Sequence, residues 1–164
     1  TFILKPMHKY PNLLLDNQLC FALYSATNAV TRFYRFYFKE LDITYSQYLV
    51  LITLWEGDCK NITDIAKILK LDLPTITPIL KKLETKKLIK KSRSKQDERI
   101  ILIKLTKKGI DLEDEVAKIQ HKVACQTHLN PEEFNLLKNS LNDLTDAMTI
   151  NDADKEDLKL NQCK

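Results

Sequence analysis

Apolar positions recur at helical spacing through most of the chain, and polar caps mark where each run begins. Residues 61 to 105 read as helix, tight turn, second helix and then a two-stranded hairpin. Asn61 is placed to cap a helix from Asn61 to Leu69, with Ile62, Ile65, Ala66 and Leu69 on one apolar stripe. A second helix starts after Asp72. Pro74 near its start lacks an amide hydrogen that the first turn would leave unpaired anyway. Ile76, Ile79, Leu80 and Leu83 form its inward stripe, which leaves Thr75, Thr77, Lys81 and Lys82 facing out. Leu88 to Arg93, the polar turn Lys95-Gln96-Asp97-Glu98 and the β-branched run Arg99 to Leu105 then predict a hairpin with a basic tip.

The flanking segments read as helices suited to a dimer. Asp16 is expected to cap an amphipathic helix from about Asn17 to Lys39. That helix carries Leu19, Phe21, Leu23, Val30, Phe33, Tyr34, Phe36, Tyr37 and Phe38, more aromatic surface than a lone helix can hide. Thr44 with Gln47 forms a capping box for a helix running to about Glu56, which Gly57 ends. Thr106 caps a long helix to about Gln126. Asn130-Pro131-Glu132-Glu133 opens the last one with cap, proline and acidic first turn in order. The expected fold class is mainly α with a small β-hairpin wing: a winged helix-turn-helix, dimeric, with terminal helices forming the interface. The organisation is an extension at 1–16, a dimerisation helix at 17–44, the reading module at 45–106, dimerisation helices at 107–150 and a disordered tail at 151–164. Such a dimer would place two reading heads about 34 Å apart, matching successive major grooves.

Charge sharpens this picture. Residues 81 to 108 hold twelve Lys or Arg and three acids, although the whole chain of 164 residues is only +4; residues 111 to 164 hold six bases and twelve acids. A positive patch confined to one module is a footprint for phosphate, so the expected partner is double-stranded DNA at a pseudo-palindromic operator. The plainer alternative is a solvated, lysine-rich hairpin. Short hydroxyls such as Thr75 and Thr77 can meet base edges while Lys81 and Lys82 charge the backbone contact. Only two glycines and 44% hydrophobic residues fit one mostly helical domain with a real core. No apolar run can span a bilayer and no signal-peptide pattern opens the chain, so no membrane and a cytoplasmic location are expected. Cys20, Cys59, Cys125 and Cys163 form no CxxC pair and read as reduced or redox-active thiols, not a secreted disulfide frame.

Among these thiols Cys20 carries the most chemistry. With Asp16 as cap it falls in the first helical turn or just beyond, where backbone amides and the macrodipole favour thiolate over thiol. Tyr24 is four residues on and shares its face. Tyr34 also shares the face but sits about 21 Å further along the axis, so it cannot touch the same sulfur within one chain. Across a two-fold with antiparallel helices it can reach the Cys20 of the other subunit, and a phenol donating to the sulfur stabilises its anion. The competing reading makes Cys20 a small core filler between Leu19 and Phe21. His121, Cys125 and His128, spaced four and three apart, imitate a zinc site, but no fourth ligand is evident and exposed histidines are the commoner explanation. No metal and no cofactor are expected. A thiol peroxidase using Cys20 would leave the basic module without a purpose, so the chain is not expected to be an enzyme.

The stretches Leu15-Asp16-Asn17-Gln18-Leu19-Cys20-Phe21-Ala22-Leu23-Tyr24, Leu41 to Leu51 and Leu54-Trp55-Glu56 resemble the organic-hydroperoxide-sensing repressors of the MarR family. The likeness continues through Thr77 to Glu84, Asp97-Glu98-Arg99 and Leu105-Thr106, and covers roughly residues 14 to 148. The resemblance implies that Cys20 is the sensing thiol, that Tyr34 and Tyr45 hydrogen-bond it from the other subunit, and that Cys125 is the resolving cysteine of a two-cysteine type; Tyr24, from its spacing, is a further expected support for the thiolate. It also implies a DNA-contacting set of Asp72, Thr75, Thr77, Lys81, Lys82, Arg93, Asp97 and Arg99, with Arg99 in the minor groove. A homodimer that blocks its operator when reduced and leaves it after an organic hydroperoxide oxidises Cys20 follows from the likeness; induction by a bound aromatic ligand or by zinc is the alternative. Cys59 and Cys163 match no family role. The chain departs from the pattern at Leu73-Pro74, where relatives have Ser-Gly, and at Lys87, where Gly is common.

Overall fold

The computed structural model describes residues 10–94, 97 and 99–149. Expectations for residues 1–9, for Lys95, Gln96 and Glu98 in the wing turn, and for the tail at 151–164 lie outside the described residues. The elements run α1 (Leu19–Phe38), α2 (Tyr45–Trp55), β1 (Lys60–Asn61), α3 (Ile62–Ile68), α4 (Leu73–Thr85), β2 (Ile89–Arg93), β3 (Ile101–Leu105), α5 (Lys107–Asp111), α6 (Glu113–Cys125) and α7 (Pro131–Ala147). Two units emerge, one up to Val123 and one from Ala124 onward.

In the first unit the helix boundaries follow local chemistry. Thr44 and Gln47 complete the capping box of α2, with the Gln47 backbone N–H donating to Thr44 Oγ1 at 3.3 Å and the Thr44 N–H to Gln47 Oε1 at 3.1 Å. Asn61 caps α3 by accepting from the Asp64 N–H at 2.8 Å, and Asp72 caps α4 by accepting from the Thr75 N–H at 2.8 Å. The inward stripe of α4 is as expected: Ile76, Leu80 and Leu83 are buried and Ile79 is partly so. These side chains join Phe38, Val50, Leu51, Leu54, Ile65, Ile89 and Ile103 in one core, so the recognition module and α2 share a single apolar interior.

The sheet has three antiparallel strands in the order β1-β3-β2. Within the hairpin, Ile89 lies opposite Leu105 and Arg93 opposite Ile101. The two-residue β1, which no periodicity announces, pairs Lys60 with Ile103 and Asn61 with Leu102. It ties the start of α3 to the root of the wing. Asp58 adds a side-chain bond, its Oδ1 accepting from the Leu105 N–H at 2.9 Å.

Three boundaries differ from expectation. Asp16 does not cap α1. It lies inside a short 3-10 helix at Leu15–Asn17, preceded by another at Pro11–Leu13, and Gln18 is the cap residue without a side-chain bond to the helix. Proline at the start and the Asn17 amide donating to the Pro11 carbonyl at 3.1 Å hold this segment in its own turns. Gly57 does not supply the left-handed residue after α2; Cys59 does, at φ 67°. The single helix expected from Thr106 to Gln126 is interrupted at Leu112, after Thr106 caps α5 through the Gly109 N–H at 3.1 Å. Glu113, Asp114 and Glu115 then occupy the first turn of α6, where the helix dipole favours carboxylates.

The second unit contains the end of α6 and then α7. Asn130 and Glu133 form its capping box, with Pro131 in the first turn. Phe134, Leu136, Leu137 and Leu141 of α7 are exposed. No helix among the described residues is long and apolar enough to cross a membrane.

Candidate nucleic-acid interface and thiol site

The interface is built on α4 and the wing. Thr75, Thr77, Lys81 and Lys82 are all exposed on α4, because the stripe of Ile76, Leu80 and Leu83 turns the rest of the helix outward. Asp72, named among the contacting residues, is the cap itself: both the hydroxyl and the amide of Thr75 donate to its carboxylate, which holds its pKa below the ordinary carboxyl range. A lowered pKa means the ionised cap persists above that range and is lost only as pH falls through the lowered value. Asp97, likewise named, accepts from the Arg99 N–H at 2.9 Å and thereby sets the backbone that presents Arg99. Arg93 and Arg99 are exposed at the end of β2 and just before β3. A groove of about 510 Å³ runs between the start of α3, Leu73 and Thr77 on α4, and Arg99 and Ile101 on the wing.

Not every lysine counted in the basic stretch faces outward. Lys91 pairs with Glu84 at 2.9 Å and braces the wing against α4, while Lys86 pairs with Asp42 at 3.1 Å and anchors the end of α4 to the α1–α2 corner. These pairs position the reading helix.

Cys20 is the second residue of α1, within its first turn, and is exposed. Within one chain, therefore, Cys20 does not fill the core. Around it much of the apolar surface of α1 is uncovered: Leu19, Phe21, Tyr24, Val30, Phe33 and Phe36 are all exposed, Phe36 at 75%. Tyr34 is buried at the other end of the helix, with its ring 5.1 Å from those of Tyr45, Tyr48 and Phe38. Tyr34 and Tyr45 are thus brought together, whereas Tyr24 stands apart at 67% exposure. Tyr48 was missed from sequence; its spacing of three from Tyr45 put it on the same face and was the available signal. Burial, followed by the neighbouring Tyr34, raises the pKa of Tyr45; burial and a hydrogen bond with Tyr34 raise that of Tyr48 further. Both phenols stay protonated and able to donate. Cys125 is the last residue of α6 and is exposed, as is Cys59. Among the described residues no group of three or more His, Cys, Asp or Glu converges as a metal site, and His128 follows the helix end at φ 54°.

Residues 32–116 match the family model described as transcriptional regulator SarA/Rot. The chain is 36% identical over 141 residues to the organic hydroperoxide resistance transcriptional regulator of Bacillus subtilis, covering 86% of this chain and 96% of that protein. The chain belongs to the MarR/SarA family of transcriptional regulators. Solved structures of AbfR, a Staphylococcus epidermidis protein, are similar to this regulator in three states. Reduced AbfR bound to DNA matches with a TM-score of 0.69 at 34% identity, covering 82% of this chain and 92% of that one. Overoxidised AbfR bound to DNA gives 0.69 at 33%, covering 82% and 95%, and disulfide-formed AbfR gives 0.60 at 36%, covering 80% and 92%. The MarR-family regulator thus has the winged helix-turn-helix fold, and its relatives are transcriptional regulators, not enzymes.

Proposed function

We propose that this regulator is a redox-responsive repressor, a homodimer that holds operator DNA while Cys20 is reduced and leaves it after an organic hydroperoxide oxidises that sulfur. The observation that carries the reading is the exposed Cys20 in the first turn of a helix whose apolar face is uncovered, within the same chain as a winged helix-turn-helix. A second copy covering α1 would seal the sulfur into an apolar seam and bring the partner's phenols to it. Tyr34 is about 21 Å along the axis from Cys20, so that encounter is between subunits. The terminal segments 17–44 and 107–150 close the dimer around the reading module at 45–106. Thr75, Thr77 and their neighbours enter the major groove; Lys81, Lys82 and Arg93 face phosphates; and Arg99, held by Asp97, reaches the adjacent minor groove.

The chemistry balances as a two-electron oxidation. The Cys20 sulfur attacks the distal oxygen of the hydroperoxide, the O–O bond breaks, an alcohol leaves and the sulfur becomes a sulfenic acid. The Cys125 thiol of the partner subunit then displaces water to form a disulfide. A disulfide requires Cα atoms within about 7 Å, so any larger separation in the reduced dimer must be closed by helix movement, which alters the spacing of the reading heads. Overoxidised AbfR is on DNA in its structure, which supports assigning release to the disulfide and not to oxygen on sulfur alone. Cytosolic thiols would reverse the bond.

Non-reducing electrophoresis after organic hydroperoxide treatment tests this directly. A covalent dimer should form in the parent protein and be absent in Cys125→Ala and Cys20→Ser. A peroxide-dependent dimer that persists in Cys125→Ala would remove Cys125 from the mechanism. A second reading, induction by a bound aromatic ligand, draws on a groove of about 430 Å³ lined by Tyr48, Ile52, Trp55 and Val116. Induction surviving in Cys20→Ser would favour it.

A further inference from the structure

Lys86 is the cap residue at the C-terminal end of α4, and its ammonium reaches across to the corner between α1 and α2. It pairs with the Asp42 carboxylate at 3.1 Å and donates to the Asp42 carbonyl and, at 3.5 Å, to Oε1 of the buried Gln47. An ammonium has three hydrogens, and here the acceptors for all of them lie at one corner. Gln47 Oε1 also accepts from the Thr44 N–H and so belongs to the cap of α2, the helix that opens with Tyr45. On its other side the corner is closed onto α1. The Leu41 and Ile43 N–H groups both donate to the Phe38 carbonyl, at 3.1 and 3.3 Å, and the Ile43 side chain is buried. One lysine therefore joins the end of the recognition helix to the helix that carries Cys20 and to the helix that carries Tyr45.

From this we infer that Lys86 couples the sulfur site to DNA: it makes the last turn of α4 follow the α1–α2 corner, so that helix movement on disulfide formation reaches the reading surface. α1 has 20 residues and is a rod about 30 Å long, with Cys20 near one end and the corner at the other. A displacement that brings Cys20 to the partner's resolving thiol is carried along this rod to Asp42. Packing of Ile76, Leu80 and Leu83 holds α4 to the core, but apolar contact is non-directional and lets a helix tilt. Hydrogen bonds gathered at the helix end resist that tilt. The pair contributes little to stability, since the Asp42 side chain is 86% exposed. Lys86 is thus a positioning residue. This inference rests on the redox reading and names the side chain through which that site regulates DNA binding.

The test titrates a duplex, selected from a randomised pool on the reduced protein, with full-length parent, Lys86→Met and Lys86→Arg, each reduced and after cumene hydroperoxide. Non-reducing gels follow the covalent dimer in the same samples. Methionine keeps the apolar stem and removes the donors. Lys86→Met should form the disulfide to the parent's extent, yet its loss of affinity on oxidation should be smaller than the parent's by about threefold or more. Lys86→Arg restores charge and donors and should release DNA as the parent does. A role in stability alone would lower the melting temperature of Lys86→Met and leave its ratio of reduced to oxidised affinity at the parent's value. Should Lys86→Met not bind when reduced, Asp42→Asn reads the same link from the other side, because asparagine accepts the φ of 50° and lacks the charge; its release should be weakened in the same sense. Release as complete as the parent's, from Lys86→Met or in its stead from Asp42→Asn, would overturn this inference alone, as would a Lys86→Arg that behaves like Lys86→Met. A parent that keeps DNA with Cys20 in a disulfide would overturn the repressor reading and this inference with it.

Discussion

Lys87 holds a φ of 59°, and Asp42, Cys59, Lys70 and His128 hold values between 50° and 67°. Lys70 and Lys87 directly follow the cap residues of α3 and α4, where glycine usually takes the left-handed conformation, and neither of the chain's two glycines has a positive φ. At Lys87 the geometry is a complete Schellman motif: its N–H donates to the Glu84 carbonyl at 2.9 Å and the Leu88 N–H to that of Leu83 at 3.0 Å, with Leu83 and Leu88 both buried. A side chain in this region carries roughly 1–2 kcal/mol of strain, partly offset by the lower entropy of the unfolded lysine. Lys87→Gly should therefore stabilise by about 0.5–1 kcal/mol, and thermal melting should show a midpoint raised by roughly 1–4 °C; a lowered midpoint would mean the strain is not there. Gly109 is the opposite case. A Cβ there would collide with the backbone oxygen of Leu88, and the Gly109 carbonyl accepts from Trp55 Nε1 at 3.0 Å. Gly109→Ala should cost about 1–3 kcal/mol in denaturant unfolding.

At the scale of elements, the uncovered face of α1 makes the sharpest claim. Burying one large apolar side chain contributes about 1.5–3 kcal/mol, and a two-fold interface counts it twice. Replacing Phe33 and Phe36 together by Asp should weaken dimerisation by at least about a hundredfold, read by light scattering over a dilution series; an unchanged dimer would place the interface elsewhere. The same elements show what sequence can and cannot disclose. The capping box at Thr44, the caps at Asn61, Thr106 and Asn130, and the start of α4 after Asp72 were legible because a cap bonds residues only a turn away. The outward set Thr75, Thr77, Lys81 and Lys82 was legible because periodicity fixes which side of α4 meets the core. β1 was not legible, since a two-residue strand exists only by pairing with β3, about forty residues on. Nor was the start of α1, where a proline and an asparagine set up their own turns before the expected cap could act. The place of Tyr48 was not legible, since only tertiary packing gathers Tyr45 and Tyr48 around Tyr34. A charge count also does not disclose ion pairs: Lys86 and Lys91 are held by Asp42 and Glu84.

For the whole molecule, binding that depends on lysines and arginines facing phosphate must weaken with salt. The logarithm of the affinity should fall by roughly 0.9 per log unit of salt for each phosphate contacted, and Lys82→Ala should lower that slope by about one contact per subunit. An unchanged slope would remove Lys82 from the backbone contact. The central claim, that the state of one sulfur decides whether DNA is held, is tested most directly by titrating labelled operator with reduced and cumene-hydroperoxide-treated protein, parent and Cys20→Ser side by side. Tight binding by both reduced proteins is expected, with a loss of at least tenfold on treating the parent and no change on treating Cys20→Ser. Equal affinity of the parent before and after treatment, with Cys20 shown to be in a disulfide, would contradict it.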